Sequence, residues 1–435
     1  MITKLIILAG GAIILALLLA RKYRLLCWVL LFTMVIGPRR AQFVYQDIVR
    51  EINWKFEVIP FTVLLLLLLL LTVRFIRFTL GRWDLVALAL IAFSFVVAMA
   101  SGVPFDKAVL WMVPISSVFL TKHVIMVFVR NGAAYETATR IFLLVSFLIA
   151  AGSLMTAVGI TFGGFLLPSQ AYGVIVDGKV QAVTRAEGFW GTATVAGVTV
   201  TSILLLPTLR APSLIKLGLA GAQVASVMVS GKRLAFLSMA LTCLFLIVGS
   251  KGRYRKVTGI GLAAIIAVVA WIYLPSTGII ERFGEAEQAL SGERENDQRI
   301  RRFSYAIDSY LTNPILGGGA GNVAYIHNGY LELLANMGLA ALPVIAALLL
   351  PIWTGYRAGG ATRVWAQIAG IFMVSPFMLE AVLNRPEHLT FLGFFLGMIQ
   401  ATHFLERRPV RIPTRGPTTD DRPEVPELKE ETHAS

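Results

Sequence analysis

The sequence predicts an all-α polytopic integral membrane protein with about 12–13 transmembrane helices. Two observations carry this prediction. The 435 residues are 57% hydrophobic and 15% charged, and the mean hydropathy of +0.74 is too high for a soluble chain of this length. Apolar stretches of about 17–25 residues, the length that crosses a bilayer as a helix, also recur along most of the chain.

The apolar stretches can be assigned in order along the chain. The first two are short, so the count is uncertain by one, and the N-terminal stretch is interpreted as an uncleaved span rather than a signal peptide. The predicted spans are residues 4–20, 25–37, 57–74, 84–101, 108–128, 141–160, 191–207, 213–229, 234–250, 257–274, 338–355, 363–382 and 388–405.

Basic residues in short loops predict which ends of the spans face the cytoplasm. The loop from Lys251 to Lys256 is the clearest case, and alternation from it places 161–190, 230–233 and 275–337 outside. The loop 38–56 disagrees, because it is basic although alternation makes it external. The predicted organisation is N-terminal transmembrane helices (1–274), one large external loop with short helices (275–337), C-terminal transmembrane helices (338–405) and a disordered cytoplasmic tail (406–435).

A β-hairpin is predicted inside the external loop 161–190. Asp177-Gly178 stands between β-branched residues, which is typical of a type I′ turn. The hairpin would end just before Arg185 and could act as a small lid or prop, or be a plain surface hairpin.

External arginines are the part of the charge that topology does not explain. Most of the net charge of +14 lies in cytoplasmic loops, so it does not indicate nucleic-acid binding. Arg185, Arg233 and Arg299 lie on the predicted external side, where few basic residues are expected. They either reach to lipid headgroups or bind a phosphate group together.

His327 is the strongest candidate for a catalytic side chain. It follows a glycine-rich stretch in which Gly319 and Gly321 would let the backbone approach a ligand, and it precedes a predicted helix over Asn328–Asn336. Imidazole changes charge near neutral pH, which suits a general base acting on a hydroxyl. The competing interpretation is a structural histidine.

Neither a metal nor a cofactor is predicted for the site. The sequence contains no Asp-x-Asp pair and no His/Cys cluster with the spacing of metal ligands. The glycine-rich stretch is not followed by the lysine of a phosphate-binding loop.

Several of these motifs resemble the signature of the O-antigen ligase and polymerase superfamily. The similar segments are Thr184-Arg185-x-x-Gly188-Phe189, Lys232-Arg233-x-Ala235, Arg299-x-x-x-Phe303, Asn313-Pro314 with Gly317-Gly-Gly319, and His327-Asn328-x-Tyr330-Leu331 with the later Gly338. The layout, with one large external loop near the C-terminal third, is similar too.

The resemblance implies a GT-C-like, metal-independent glycosyltransferase of the bacterial inner membrane, with the catalytic loop 275–337 and the active site facing the periplasm. The donor would be an oligosaccharide on undecaprenyl diphosphate. Arg185 and Arg233 would hold the diphosphate and His327 would deprotonate or orient the acceptor hydroxyl, so that direct displacement inverts the anomeric centre. The other predicted substrate-binding residues are Arg299, Asn328, Tyr330, Gly319, Gly321 and Glu380.

The resemblance leaves the reaction open between two main forms. A polymerase of exopolysaccharide or O-antigen repeat units is preferred slightly over a ligase that transfers glycan to lipid A core, and a protein O-glycosylating relative is a third option. A chain-length regulator protein is a further candidate partner. A transporter is the alternative from another class, although the predicted span centres are nearly free of acidic residues, with Glu380 and Glu387 at their edges.

Overall fold

The computed structural model describes the greater part of the chain. It covers residues 81–129, 132–160, 170–176, 179–185, 194–230, 232–248, 298–324, 326–379 and 386–407, with single positions at 25, 260–261, 263–264, 267 and 383. The predicted spans 4–20, 25–37, 57–74 and 257–274 lie wholly or largely outside these residues, as do Glu380 and the tail beyond 407.

Helices dominate the described residues. The α-helices are α1 (Arg82–Ala100), α2 (Phe105–Phe128), α3 (Gly132–Ala157), α4 (Thr194–Thr199), α5 (Ser213–Ser230), α6 (Arg233–Val248), α7 (Gln298–Thr312), α8 (Gly329–Met337), α9 (Ala341–Ala358), α10 (Gly360–Val374), α11 (Pro376–Leu379) and α12 (Pro386–Arg407). Two 3-10 helices, Val200–Thr208 and Gly338–Ala340, continue α4 and join α8 to α9.

Seven helical segments among the described residues are long and apolar enough to cross a membrane. They are Arg82–Ala100, Phe105–Phe128, Ala134–Ala157, Ser213–Ser230, Gly329–Ala358, Gly360–Leu379 and His388–Arg407. Shorter apolar helices cover Ala196–Thr208 and Leu234–Val248. The prediction of an all-α polytopic membrane protein is confirmed.

The predicted hairpin is present. Strand β1 (Gln170–Val176) pairs antiparallel with β2 (Lys179–Arg185), and the register Val176↔Lys179 leaves two residues for the turn. The turn residues themselves lie outside the described part of the chain, so the type I′ geometry stays a prediction. At the open end of the hairpin Arg185 pairs with Gln170.

Helix α12 lies at the centre of the bundle and packs closely on α2. A Cβ added at Gly393 would lie 2.5 Å from the Val118 carbonyl oxygen, and one at Gly397 would lie 2.7 Å from the Lys122 carbonyl oxygen. Two glycines one turn apart thus let the helix backbones approach, which is how helices associate where the surrounding lipid removes the hydrophobic driving force.

A buried ion pair ties α1 to α2. The Lys122 Nζ lies 2.7 Å from the Asp84 Oδ1, and the two side chains are 3% and 5% exposed. This pair is not predicted from the sequence, because Asp84 lies at the very start of the predicted span 84–101. Because an unpaired charge in this setting is costly, each side chain fixes the position of the other.

Candidate functional site

The candidate site is built where α7 and α8 pack against each other. Ala306 of α7 and Ala335 of α8 are fully buried, and Val323 and Ile326 of the connecting loop pack with them, flanked by Phe303 and Leu331. This small apolar cluster holds the loop that precedes His327 against both helices.

Apolar residues recur along α7 at spacings of three and four, a pattern that predicts one buried face, and this prediction is only partly correct. Phe303, Ala306 and Tyr310 face the protein, but Ile307 and Leu311 are 46% and 66% exposed. The short helix α8 covers one narrow stripe of α7, so the residues on the edge of the predicted face remain uncovered.

The glycine-rich loop is bonded to the C-terminal end of α8. The amides of Gly318 and Gly319 donate to the carbonyls of Ala335 and Asn336 at 2.9 and 3.0 Å, which would otherwise lack intrahelical partners. The Leu339 amide in turn donates to the Pro314 carbonyl at 2.8 Å. The loop and the end of the helix therefore fix each other.

The same loop is seated on the ends of α1 and α2 that are predicted to be external. A Cβ added at Gly319 would lie 2.5 Å from the Ala98 Cα, and one at Gly321 would lie 2.5 Å from the Lys107 carbonyl oxygen. The Ala320 amide donates to the Ser94 carbonyl at 3.1 Å. The close approach expected of these glycines is thus made to the protein's own backbone, and a contribution of Gly319 and Gly321 to substrate binding stays a prediction.

His327 is half-buried, and each of its two neighbours in the chain is hydrogen-bonded to a residue of α8. On one side, the Ile326 N–H donates to the Glu332 Oε2 at 3.3 Å. On the other side, Asn328 is the N-cap, and its Oδ1 accepts from the Leu331 N–H at 3.0 Å. The helix predicted over Asn328–Asn336 is confirmed with this cap, so the candidate base stands immediately before the positive end of α8.

Two buried polar residues that the sequence analysis missed support this arrangement. The side chain of Asn336, which is fully buried, accepts from the Val323 N–H at 3.0 Å and donates to the carbonyls of Val323 and Glu332 at 2.7 and 2.8 Å. Glu332 is also fully buried. The available signal was the four-residue spacing of 328, 332 and 336, which puts three polar residues on one face of an otherwise apolar helix.

Tyr330 attaches the first turn of α8 to α10 and α11. Its hydroxyl donates to the Met373 carbonyl at 3.2 Å, and its ring packs edge-on against Phe377 with the centroids 4.9 Å apart. Tyr330 therefore has a structural partner, and its predicted role in binding substrate is not tested by these contacts.

The start of α6 reaches the same junction of α10 and α11. The Ser375 hydroxyl donates to the Leu234 carbonyl at 3.2 Å and lies 2.9 Å from the Ser238 hydroxyl. Arg233, the first residue of α6, directly precedes Leu234. Leu234, which follows Arg233, and Tyr330, which lies three residues after His327, thus both contact the segment from Met373 to Phe377.

The other predicted site residues are placed by backbone alone. Arg185 is the last residue of β2. Arg299 is the second residue of α7 and stands one turn before Phe303. Glu380 lies outside the described residues.

The fold and this geometry define a polytopic α-helical membrane protein with a histidine held at a helix N-terminus. The family profile described as O-antigen ligase matches residues 218–346, a segment that contains Arg233, Arg299 and His327. Residues 218–346 are thus similar to the O-antigen ligase family, and the resemblance to the O-antigen ligase and polymerase superfamily is confirmed for that segment. Members of this family are enzymes of the glycosyltransferase or ligase type. A search of curated proteins found no match.

Proposed function

We propose that this protein is an inner-membrane glycosyltransferase that polymerises exopolysaccharide or O-antigen repeat units carried on undecaprenyl diphosphate. The observation that carries the proposal is His327, which stands between two residues bonded to α8 and lies within the segment matched by the O-antigen ligase profile. The active site would face the periplasm.

In this mechanism His327 accepts a proton from, or orients, the acceptor hydroxyl. The hydroxyl oxygen attacks the anomeric carbon of the donor sugar from the face opposite the diphosphate. The bond between that carbon and the diphosphate oxygen breaks, so the configuration inverts. Arg185, Arg233 and Arg299 would stabilise the charge that develops on the departing diphosphate, which planar guanidinium groups do well in a site sheltered from water.

The mechanism is proposed to need neither metal nor cofactor. Within the described residues no group of three or more His, Cys, Asp or Glu side chains could hold a metal ion. We expect product formation by the purified protein to be unimpaired in EDTA, and a strict metal requirement would argue against this mechanism.

The decisive experiment compares a deletion strain complemented with wild type, His327→Ala or the control His403→Ala. His403 is a half-buried histidine near the predicted cytoplasmic end of α12, so it controls for the loss of an imidazole as such. We expect His327→Ala to lower polymer formation by about 100-fold or more, while His403→Ala stays close to wild type. The readout is mass spectrometry of undecaprenyl-diphosphate-linked glycans and of surface glycan, with immunoblotting for the amount of protein in the membrane.

The same experiment separates the alternatives. Single repeat units that accumulate on the lipid carrier, with no long polymer, would support a polymerase. Full-length polymer on the carrier with unmodified lipid A core would support a ligase, which the description of the matching family profile favours as the second candidate. Unchanged amounts of lipid-linked glycan and surface glycan in the His327→Ala strain would contradict the proposed chemistry and would favour the transporter interpretation.

A further inference from the structure

A cavity of about 280 Å³ lies beside the loop that leads to His327. It is lined by the first two turns of α2, by one face of α7 and by the loop residues 321–324 and 326. Its side chains combine two cations, two aromatic rings, an amide and an apolar floor. Those that carry the argument are Lys107, Trp111, Arg302, Tyr305, Asn322 and Ile326.

The helix spacing puts these groups on two facing surfaces. Lys107 and Trp111 are four residues apart on α2, and Arg302 and Tyr305 are three residues apart on α7, so each pair shares one face of its helix. Each wall of the cavity therefore offers one positive charge and one aromatic ring. Both Lys107 and Arg302 are exposed.

Trp111 provides an independent sign that a polar ligand belongs here. The indole is 1% exposed, and its Nε1 donor has no hydrogen-bond partner in the described part of the chain. A buried donor without an acceptor is costly, and native proteins rarely leave one unless another molecule satisfies it. Tyr305 is 54% exposed at the same cavity and offers an open ring surface.

We propose that this cavity is a glycan subsite for an acidic sugar, with Lys107 and Arg302 binding the carboxylate of a uronic acid residue. In this assignment a sugar oxygen accepts from the Trp111 Nε1–H, and the sugar ring lies against Tyr305. The volume is slightly below the range of about 300–1,000 Å³ for typical small-molecule sites, which suits one sugar residue. Aromatic rings and a neutral indole donor match a sugar better than they match a bare diphosphate.

The position links this subsite to the proposed reaction, and the inference rests on that function. Ile326 lines the cavity, and His327 is the next residue. A uronic acid bound here would hold the adjoining part of an acidic repeat unit near the candidate base. The subsite would then select glycans that contain uronic acids.

The test measures binding, so it does not depend on transfer activity. Full-length protein in lipid nanodiscs would be titrated calorimetrically with hexagalacturonate and with the neutral maltohexaose. We expect hexagalacturonate to bind at least about tenfold more tightly. The double variant Lys107→Gln/Arg302→Gln should lose at least about tenfold of that affinity, because both charges act on one carboxylate.

Arg301→Gln is the matched control. Arg301 is an exposed arginine that neighbours Arg302 on α7 but does not line the cavity, so its variant should bind hexagalacturonate within about twofold of wild type. Trp111→Phe tests the indole donor and should weaken both oligosaccharides. The two surface charges keep the proposal testable even if the buried Trp111 variant does not fold.

Three outcomes would overturn the subsite. They are equal affinity for the two oligosaccharides, hexagalacturonate affinity that does not change in Lys107→Gln/Arg302→Gln, and inorganic diphosphate that displaces hexagalacturonate through the same two residues. The last outcome would assign the cavity to the donor diphosphate. Uronate binding that persists while His327→Ala leaves cellular glycan unchanged would support the subsite and contradict the mechanism. Loss of uronate binding selectivity, together with loss of polymer in the His327→Ala strain, would support the mechanism and contradict the subsite.

Discussion

At the scale of single residues, Asn336 does more to place His327 than the sequence suggested. Its amide bonds to both the N–H and the carbonyl of Val323, and so fixes the loop four residues before the histidine. Amide side chains can satisfy a donor and an acceptor together, which a carboxylate or a hydroxyl does less completely. Asn336 thus acts as a bridge between the glycine-rich loop and α8.

We predict that Asn336→Ala destabilises the protein and also lowers activity. The Val323 N–H and carbonyl would be left buried without partners, which should cost about 2–4 kcal/mol in the free energy of unfolding. Unfolding in mixed detergent micelles measures the stability, and polymer formation in cells measures the activity.

Asn313→Ala is the matched control for this prediction. Asn313 is exposed, and the two hydrogen bonds found there use its backbone N–H and its backbone carbonyl, which the substitution keeps. We expect Asn313→Ala to change the free energy of unfolding by no more than about 0.5 kcal/mol. Equal destabilisation by the two variants would refute the bridging role of Asn336.

Only part of the arrangement around His327 can be predicted from the sequence. A cap-and-helix pattern predicted that α8 would begin at Asn328, because capping is a local property of the chain. The roles of Glu332 and Asn336 depend on burial and on partners in the preceding loop. Such tertiary contacts cannot be deduced from helix spacing alone.

At the scale of elements, the glycine-rich loop is a packing device between helices. Three of its glycines have positive φ (Gly317, +67°; Gly319, +87°; Gly321, +76°). Gly319 and Gly321 also press directly on the backbones of α1 and α2. Glycine is needed here for two separate reasons, namely the backbone conformation and the space for a Cβ.

A pair of glycine variants separates these reasons. Gly319 and Gly359 have φ values of +87° and +84°, but a Cβ at Gly359 would meet nothing within 4 Å. Gly359 has a ψ of −160°, so Gly359→Ala should cost only the strain of an alanine in a backbone conformation that is essentially restricted to glycine, about 1–3 kcal/mol. Gly319→Ala adds a clash with Ala98 and should cost about 3 kcal/mol or more.

Chemical unfolding and polymer formation are again the measurements. We expect Gly359→Ala to remain active, and Gly319→Ala to lose activity because the loop before His327 must move. If both alanines had the same effect, the steric argument would fail and backbone conformation alone would explain the glycine.

The elements were predicted unevenly, for physical reasons. Span positions followed from hydropathy, and the β-hairpin followed from a local turn signal that the strand register confirms. The buried face of α7 is narrower than the apolar spacing predicts, since Ile307 and Leu311 are exposed. Amphipathic spacing gives the direction of a face, but its width depends on how large the partner helix is.

At the scale of the whole molecule, the proposed reaction requires a definite orientation in the membrane. The glycine-rich loop contacts the C-terminal end of α1, next to the turn between α1 and α2, and it also contacts Leu339 just before the start of α9. The turn between α9 and α10 follows the opposite, C-terminal end of α9. Charge in the short loops predicts that the first turn is periplasmic and the second cytoplasmic.

Single cysteines at these turns test the orientation. Ser101 and Ala358 are exposed positions at the respective turns. In a background with Cys27 and Cys243 replaced by alanine, a membrane-impermeant maleimide should label Ser101→Cys in spheroplasts. It should reach Ala358→Cys only after the spheroplasts are lysed. The opposite labelling pattern would place His327 on the cytoplasmic side and exclude a periplasmic reaction.

The bonds on either side of His327 have a consequence for substrate recognition. A segment that became ordered only around its ligand would lose conformational entropy at that moment, and affinity would fall accordingly. Here the Ile326 amide and the Asn328 side chain already have their partners in the free protein. Folding has thus immobilised the backbone on both sides of the imidazole, and none of the free energy of glycan binding is needed to order it.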